Sequence, residues 1–213
     1  MNLTIIGPGK MGRAIGTRAA AAGHSVTFVG DKPETAQEAA QDVKASAKSG
    51  AQVSTANLED VNLGEIVVLA LPYNTSKEVT KQLGKKLAGK IAVDISNPLN
   101  ANYSDLATAP GASAAEELAQ ISPEAKVVKA FNTVFAGTLR AGQIAGRPLD
   151  VWIAGDDADA KNKVAQFVKD TGMRPIDAGP LSRARQIEAM QFLHIVTQGT
   201  LGTNWGSAIK IIG

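Results

Sequence analysis

Three glycines spaced as G-x-G-x-x-G, namely Gly7, Gly9 and Gly12 within IIGPGKMGRAIG, are the residues whose types and spacing most directly imply chemistry. Glycine at the first position permits a tight turn. At the second it lets backbone approach a pyrophosphate, and at the third it lets a helix pack closely on a strand. The whole turn (Gly7, Pro8, Gly9, Lys10, Met11, Gly12) would offer phosphate oxygens free backbone N–H groups and the positive end of a helix dipole. A purely structural turn is the alternative, and the order strand, turn, helix favours the dinucleotide. A second cluster, Gly30, Asp31 and Lys32 in TFVGDKPE, bears on which dinucleotide. An acidic residue at the end of the second strand holds the ribose 2′-OH of NAD, whereas a small or basic one admits the 2′-phosphate of NADP. That position falls on Gly30, and Lys32 supplies a cation, but the Asp31 carboxylate opposes a phosphate unless it turns outward. The balance favours NADP and leaves NAD open.

For these residues to meet a cofactor, the chain around them must alternate strand and helix. Residues 2–6 are a short apolar run, and 10–22 read as a helix closed by Gly23 and His24. Strands follow at 25–29, briefly around Val53, at 66–71 (IVVLAL), at 91–95 and at 126–131; helices are expected at 33–48, from Thr75 or Ser76 to about Leu87, and at 114–120. The unbroken apolar run IVVLAL is the pattern of a strand buried on both faces. After a less regular link, 132–148, come a strand at 150–154, a helix at 157–171, a strand at 174–177 and an amphipathic helix at 182–199. Such alternation predicts an α/β protein: a Rossmann-type, mostly parallel sheet with helices on both faces, plus a small C-terminal α/β part. The spans are 1–140 for dinucleotide binding and 141–213 for the acceptor side and dimerisation.

Composition narrows the partners. Lys plus Arg number 22 against 20 Asp plus Glu, a net charge of +2, so no nucleic-acid partner is expected. Without cysteine, thiolate metal sites and a Cys nucleophile are excluded, and two histidines leave little for a His-based metal site. No segment has the character of a secretory leader or a membrane span, which implies a cytoplasmic protein with no membrane partner. His24 and His194 read as structural, and Trp205 as packing near the C-terminus, in a dimer contact or within the chain.

Later segments carry a more specific signal. KIAVDISNPLN, KVVKAFNT, IAGDDADAKNKV and PIDAGPLSRARQIEAM, in this order, resemble the NADP oxidoreductases that reduce the deazaflavin coenzyme F-420. They are equally similar to the oxidoreductase domain of the STEAP metalloreductases. The resemblance implies that Leu71, Pro72 and Tyr73 border the cofactor, and that Asn97, Pro98, Ala130, Phe131 and Asn132 wall the nicotinamide. It also implies that the 177–181 loop lines the acceptor side, with Arg183 and Arg185 beside it for an anionic acceptor tail. The family has Ser and Arg where this chain has Gly30 and Asp31.

Together these readings imply an NADP-dependent oxidoreductase, a homodimer acting on a small-molecule redox acceptor, with a flavin or deazaflavin as second substrate. Direct hydride transfer needs proximity and alignment more than an acid or base, and no catalytic side chain is nominated. Two alternatives stay open: a small carbonyl or imine reductase, for which Tyr73 and Lys129 are the candidate proton donors, and a non-catalytic NADP(H) sensor.

Overall fold

The structure, a computed structural model, describes residues 1–212. Strand β1 (Asn2–Ile6) runs into the glycine turn and helix α1 (Lys10–Ala21), then β2 (Ser25–Val29), α2 (Pro33–Lys44) and β3 (Val53–Ala56). Next come β4 (Ile66–Leu69), α3 (Tyr73–Leu83), β5 (Ile91–Asp94), α4 (Ala114–Ile121) and β6 (Lys126–Lys129). The irregular link holds a short helix, α5 (Ala136–Ala141), and a two-stranded ribbon of β7 (Gln143–Ile144) and β8 (Arg147–Pro148). The chain continues through β9 (Asp150–Gly155), α6 (Ala158–Asp170), β10 (Arg174–Gly179), α7 (Ala184–Val196) and the single turn α8 (Gln198–Leu201).

Eight strands form one sheet in the order β10-β9-β6-β5-β4-β1-β2-β3. The first six in sequence are parallel and arranged 3-2-1-4-5-6, the doubly wound order whose strand direction places ligands at the carboxyl ends beside the central crossover. β9 joins antiparallel to β6, pairing Val128 with Gly155 and Lys129 with Ala154, and β10 extends the same sheet. β9 and β10 thus continue the sheet begun by the first six, while β7 and β8 stay apart from it.

Alternation along each strand sends side chains to opposite faces. One face buries Leu3, Ile5, Phe28, Ile66 and Val68 against α1, α2, α5 and α6. The other buries Ile6, Val29, Val67 and Leu69 against Leu83 and Leu118, and Ala92 and Val127 against Ala184. Each large apolar side chain so removed from water contributes roughly 1.5–3 kcal/mol. β4, central and apolar throughout, is buried at every residue, as its composition predicts. Several boundaries differ from expectation. α2 stops at Lys44, α3 starts at Tyr73, and the final helix breaks after Val196. Among the described residues, no helix is long and apolar enough to cross a membrane.

Candidate functional site

The turn between β1 and α1 separates two kinds of glycine. Gly7 has φ +102°, and a Cβ there would lie 2.2 Å from the Ala70 carbonyl oxygen; at Gly12 it would lie 2.1 Å from the Gly7 carbonyl oxygen. Those two glycines are demanded by the fold itself. Gly9 is different: its φ is an ordinary −76°, and a Cβ would meet nothing within 4 Å. No protein atom requires glycine there, so the open approach is what an external group resting on the backbone would use. Gly9 is also the N-cap of α1, without a side-chain cap bond and with no acidic residue in the first turn. The helix N-terminus therefore keeps N–H donors for an anion. Turn and helix end together fit a pyrophosphate.

A cavity of about 750 Å³ opens from this turn and brings together seven of the expected residues: Gly7, Pro8, Gly9, Gly30, Asp31, Leu71 and Pro72. Its remaining wall includes residues 57–60, which motif reading missed because they lie in a loop after β3 without any spacing signature. Gly30 has a packing cause of its own. A Cβ there would lie 2.7 Å from Thr35 Oγ1 and 3.0 Å from Pro8 Cγ, so the space beside it is filled by protein. Asp31 lines the cavity, and its Oδ1 accepts the Lys32 backbone N–H at 3.0 Å; Lys32 itself is not in the lining. Tyr73 faces elsewhere. Its hydroxyl donates to Glu117 at 2.5 Å, and Lys77 Nζ sits 4.8 Å from the ring centroid, tying α3 to α4. Burial and the Glu117 carboxylate push the Tyr73 hydroxyl above its ordinary value, so it is a poor acid as well as a distant one.

Beyond Lys10 and Met11 lies a second cavity of about 770 Å³, which reaches Asn97 and Asn132. These asparagines, delivered by the ends of β5 and β6, pair reciprocally. Asn97 Nδ2 donates to the Asn132 carbonyl at 3.1 Å, and Asn132 Nδ2 donates to Asn97 Oδ1 at 3.0 Å. Asn132 Oδ1 is buried and has no hydrogen-bond partner among the described residues. A buried amide oxygen left unpaired calls for a donor, and a nicotinamide carboxamide would supply one. Phe131, with φ +62° and its ring 5.8 Å from that of Phe167, turns the chain so that Asn132 faces the cavity. Ala130 is fully buried behind this wall, and Pro98 is buried with its carbonyl accepting the Ala107 N–H at 2.6 Å. Neither lines the cavity.

Sequence reading missed several lining residues here, notably Tyr103 and Phe135, and treated Trp205 as packing. The 177–181 loop lies apart from this cavity. Asp177 bonds to Lys161 at 2.9 Å and Leu181 is buried beside Ala184, so 177–181 lies at the outer edge of the sheet. Arg185 bonds to Glu116 at 2.5 and 2.8 Å, and neither it nor the exposed Arg183 lines the cavity. His194 holds Gln191 at 3.1 Å and Ser207 at 2.8 Å, an anchoring role.

Lys129 is wholly buried three residues before Asn132. Its ammonium donates to Asp94 at 2.7 Å, to Glu188 at 2.7 Å and to the Ser96 carbonyl at 2.6 Å. Burial opposes the charge, but the two carboxylates outweigh it and raise the Lys129 pKa above its ordinary value. Burial, only partly offset by Lys129, pushes Glu188 up. Lys129 is thus committed to fixing the β5 and β6 ends, and Lys10 and Tyr103 are the only ionisable residues in the lining of the second cavity. No group of three or more His, Asp or Glu suited to a metal occurs among the described residues.

Comparison with known proteins gives a consistent result. Residues 2–98 match the family model described as NADP oxidoreductase coenzyme F420-dependent. The chain is 33% identical over 202 residues to the F420-dependent NADP reductase of Methanocaldococcus jannaschii, covering 89% of each. It is 34% identical over 186 residues to metalloreductase STEAP3 of Rattus norvegicus, covering 87% of this chain but 35% of that one, so it spans about a third of the metalloreductase. A crystal structure described as an F420-dependent NADP reductase from Arthrobacter sp. FB24 superposes with a TM-score of 0.83 at 32% identity, covering 99% of both chains.

Proposed function

This chain belongs to the coenzyme F420-dependent NADP oxidoreductase family, and from that premise we propose that it moves a hydride between NADP(H) and the planar ring of a flavin or deazaflavin. When bound, NADPH supplies the hydride from nicotinamide C4. The chain's own residues bind and orient. Gly9 and the α1 N-terminus receive the pyrophosphate, Asp31, Leu71 and Pro72 border the adenosine half, and Asn97 with Asn132 hold the carboxamide end. Residues 1–140 carry the dinucleotide, while 141–213 supply Gln191, Ile195 and Trp205 to the acceptor side.

The observation that carries this reading is the second cavity. It meets the nicotinamide wall and is lined by the flat rings of Tyr103, Phe135 and Trp205, with Lys10 and Tyr103 its ionisable groups. A planar ring beside the nicotinamide needs alignment, with the balancing proton taken from water. A small carbonyl or imine needs a positioned donor, and Tyr73 and Lys129 both face away. Reduced flavin could in turn pass electrons to ferric iron. The same reading has the protein working in the cytoplasm as a homodimer, without nucleic acid or membrane; the exposed Leu193, Val196 and Leu201 support a self-contact.

Stopped-flow NADPH oxidation with FMN, FAD, riboflavin, a deazaflavin, and a panel of small imines and carbonyls tests the proposal. Turnover with a flavin or deazaflavin is expected. Turnover with imines or carbonyls alone would overturn it, and NADPH binding without turnover on any acceptor would point to a sensor.

A further inference from the structure

Among the described residues, five other than glycine have positive φ: Tyr103 (58°), Phe131 (62°), Ala145 (49°), Asn204 (50°) and Trp205 (62°). Tyr103, Asn204 and Trp205 all line the second cavity. Asparagine tolerates this region, but for a bulky aromatic residue it is an outlier, and strain of this kind gathers at ligand clamps. Packing does not offset it. Tyr103 is 62% exposed and Trp205 51% exposed, in a chain with only 4% aromatic residues. The surrounding contacts hold the Trp205 ring and the backbone of both segments in place. Thr203 donates to Gln198 at 2.8 Å, Ser207 bonds to His194 at 2.8 Å, and the Trp205 ring stands edge-on to Phe135 at 5.1 Å. On the other segment the Tyr103 N–H donates to the Asn100 carbonyl at 3.0 Å, and Asn100 Oδ1 accepts the Ser104 N–H at 2.9 Å.

We propose that Tyr103 and Trp205 are specificity-determining residues that grip the acceptor ring by aromatic contact. One projects from the loop after β5, and the other from the segment after α8. This rests on the reading that the acceptor is a planar ring, and it deepens that reading by naming what selects the ring. The two side chains offer flat apolar surface, so they favour an extended aromatic system over a small carbonyl or imine, whatever tail the ring carries. The Tyr103 hydroxyl has no part in the chemistry.

The test uses the full chain with Trp152→Phe, so that Trp205 is the sole indole reporter. Titration with FMN and with riboflavin in the presence of NADP⁺ should quench its emission saturably. Tyr103→Ala and Trp205→Ala should each raise the KM for FMN about tenfold, with kcat and the NADPH Kd within about twofold. Tyr103→Phe and Trp205→Phe should restore it. Turnover of FMN by the parent with an unchanged KM in both alanine variants overturns the clamp alone. Loss of turnover in Tyr103→Phe overturns it by making the hydroxyl a proton donor. A lower mass in solution for Trp205→Ala at unchanged KM overturns it by making Trp205 a subunit contact. A parent that quenches with no flavin and turns over only small imines overturns the acceptor reading and the clamp together.

Discussion

At the scale of single residues, the glycine turn separates folding from binding. Gly9→Val introduces a side chain into open space, so the melting temperature should hold while NADPH binding falls by a hundredfold or more, measured by calorimetric titration. Gly12→Ala drives a Cβ against the Gly7 carbonyl and should destabilise the fold by about 2 kcal/mol or more, read in denaturant. If Gly9→Val bound NADPH normally, the pyrophosphate assignment would fail. Asp31 offers a second prediction. It lines the first cavity, and removing one like charge near a phosphate dianion is worth about 1 kcal/mol. Asp31→Asn should therefore tighten NADPH about fivefold while leaving NADH weaker or unchanged, as ratio of Kd values. The G-x-G-x-x-G spacing was readable because it reports backbone needs. The cause of Gly30 was hidden, since it lies in Thr35, placed by the start of α2, and in Pro8, placed by the turn after β1.

At the scale of elements, α7 is pinned to the sheet by charge. Glu188 meets Lys129, its Oε2 accepts the Ala114 N–H at 3.1 Å, and Arg185 meets Glu116. Lys129→Met would leave Asp94 and Glu188 as buried carboxylates without their cation. That substitution should cost about 3–5 kcal/mol, seen as a lower denaturant midpoint. Glu188→Gln should cost less, because a neutral amide can keep one of the bonds; an equal loss would show that packing, not charge, holds α7. Elements with continuous apolar runs, β4 above all, were evident from composition. α5 was not: AGTLRA is six residues long, contains Gly137, and is stopped by left-handed Gly142, so its periodicity is too short to register. It exists because Leu139 is buried against the core.

At the scale of the whole molecule, Asp150 ties the C-terminal segment to the sheet. It accepts from Arg174, Lys210 and the Ile211 N–H at 2.5–2.9 Å. Burial alone would raise its pKa, but these bonds hold it down to about 2 from the ordinary 3.8. A depressed carboxyl stabilises the fold above its unfolded value and loses that contribution as pH falls toward the folded one. About 2 kcal/mol should therefore disappear between pH 3.8 and about 2, visible by calorimetry as a falling melting temperature. Asp150→Asn should flatten that dependence; an unchanged slope would assign the acid sensitivity to other carboxylates.

Two things follow from the sequence alone: the glycine turn with its strand–helix alternation, and, through the AFNT and DAGPL segments, the family. Both depend on neighbours in the chain, where backbone need and hydrophobic period leave a local record. The tertiary structure decided the second cavity. Asn97 meets Asn132, and Tyr103 shares a cavity with Trp205, only because the β5 and β6 ends, α5 and the C-terminal segment converge. The same convergence turned Tyr73, Arg185 and the 177–181 loop away from the cavity, because a helix contact, an ion pair and the sheet edge each claimed them first.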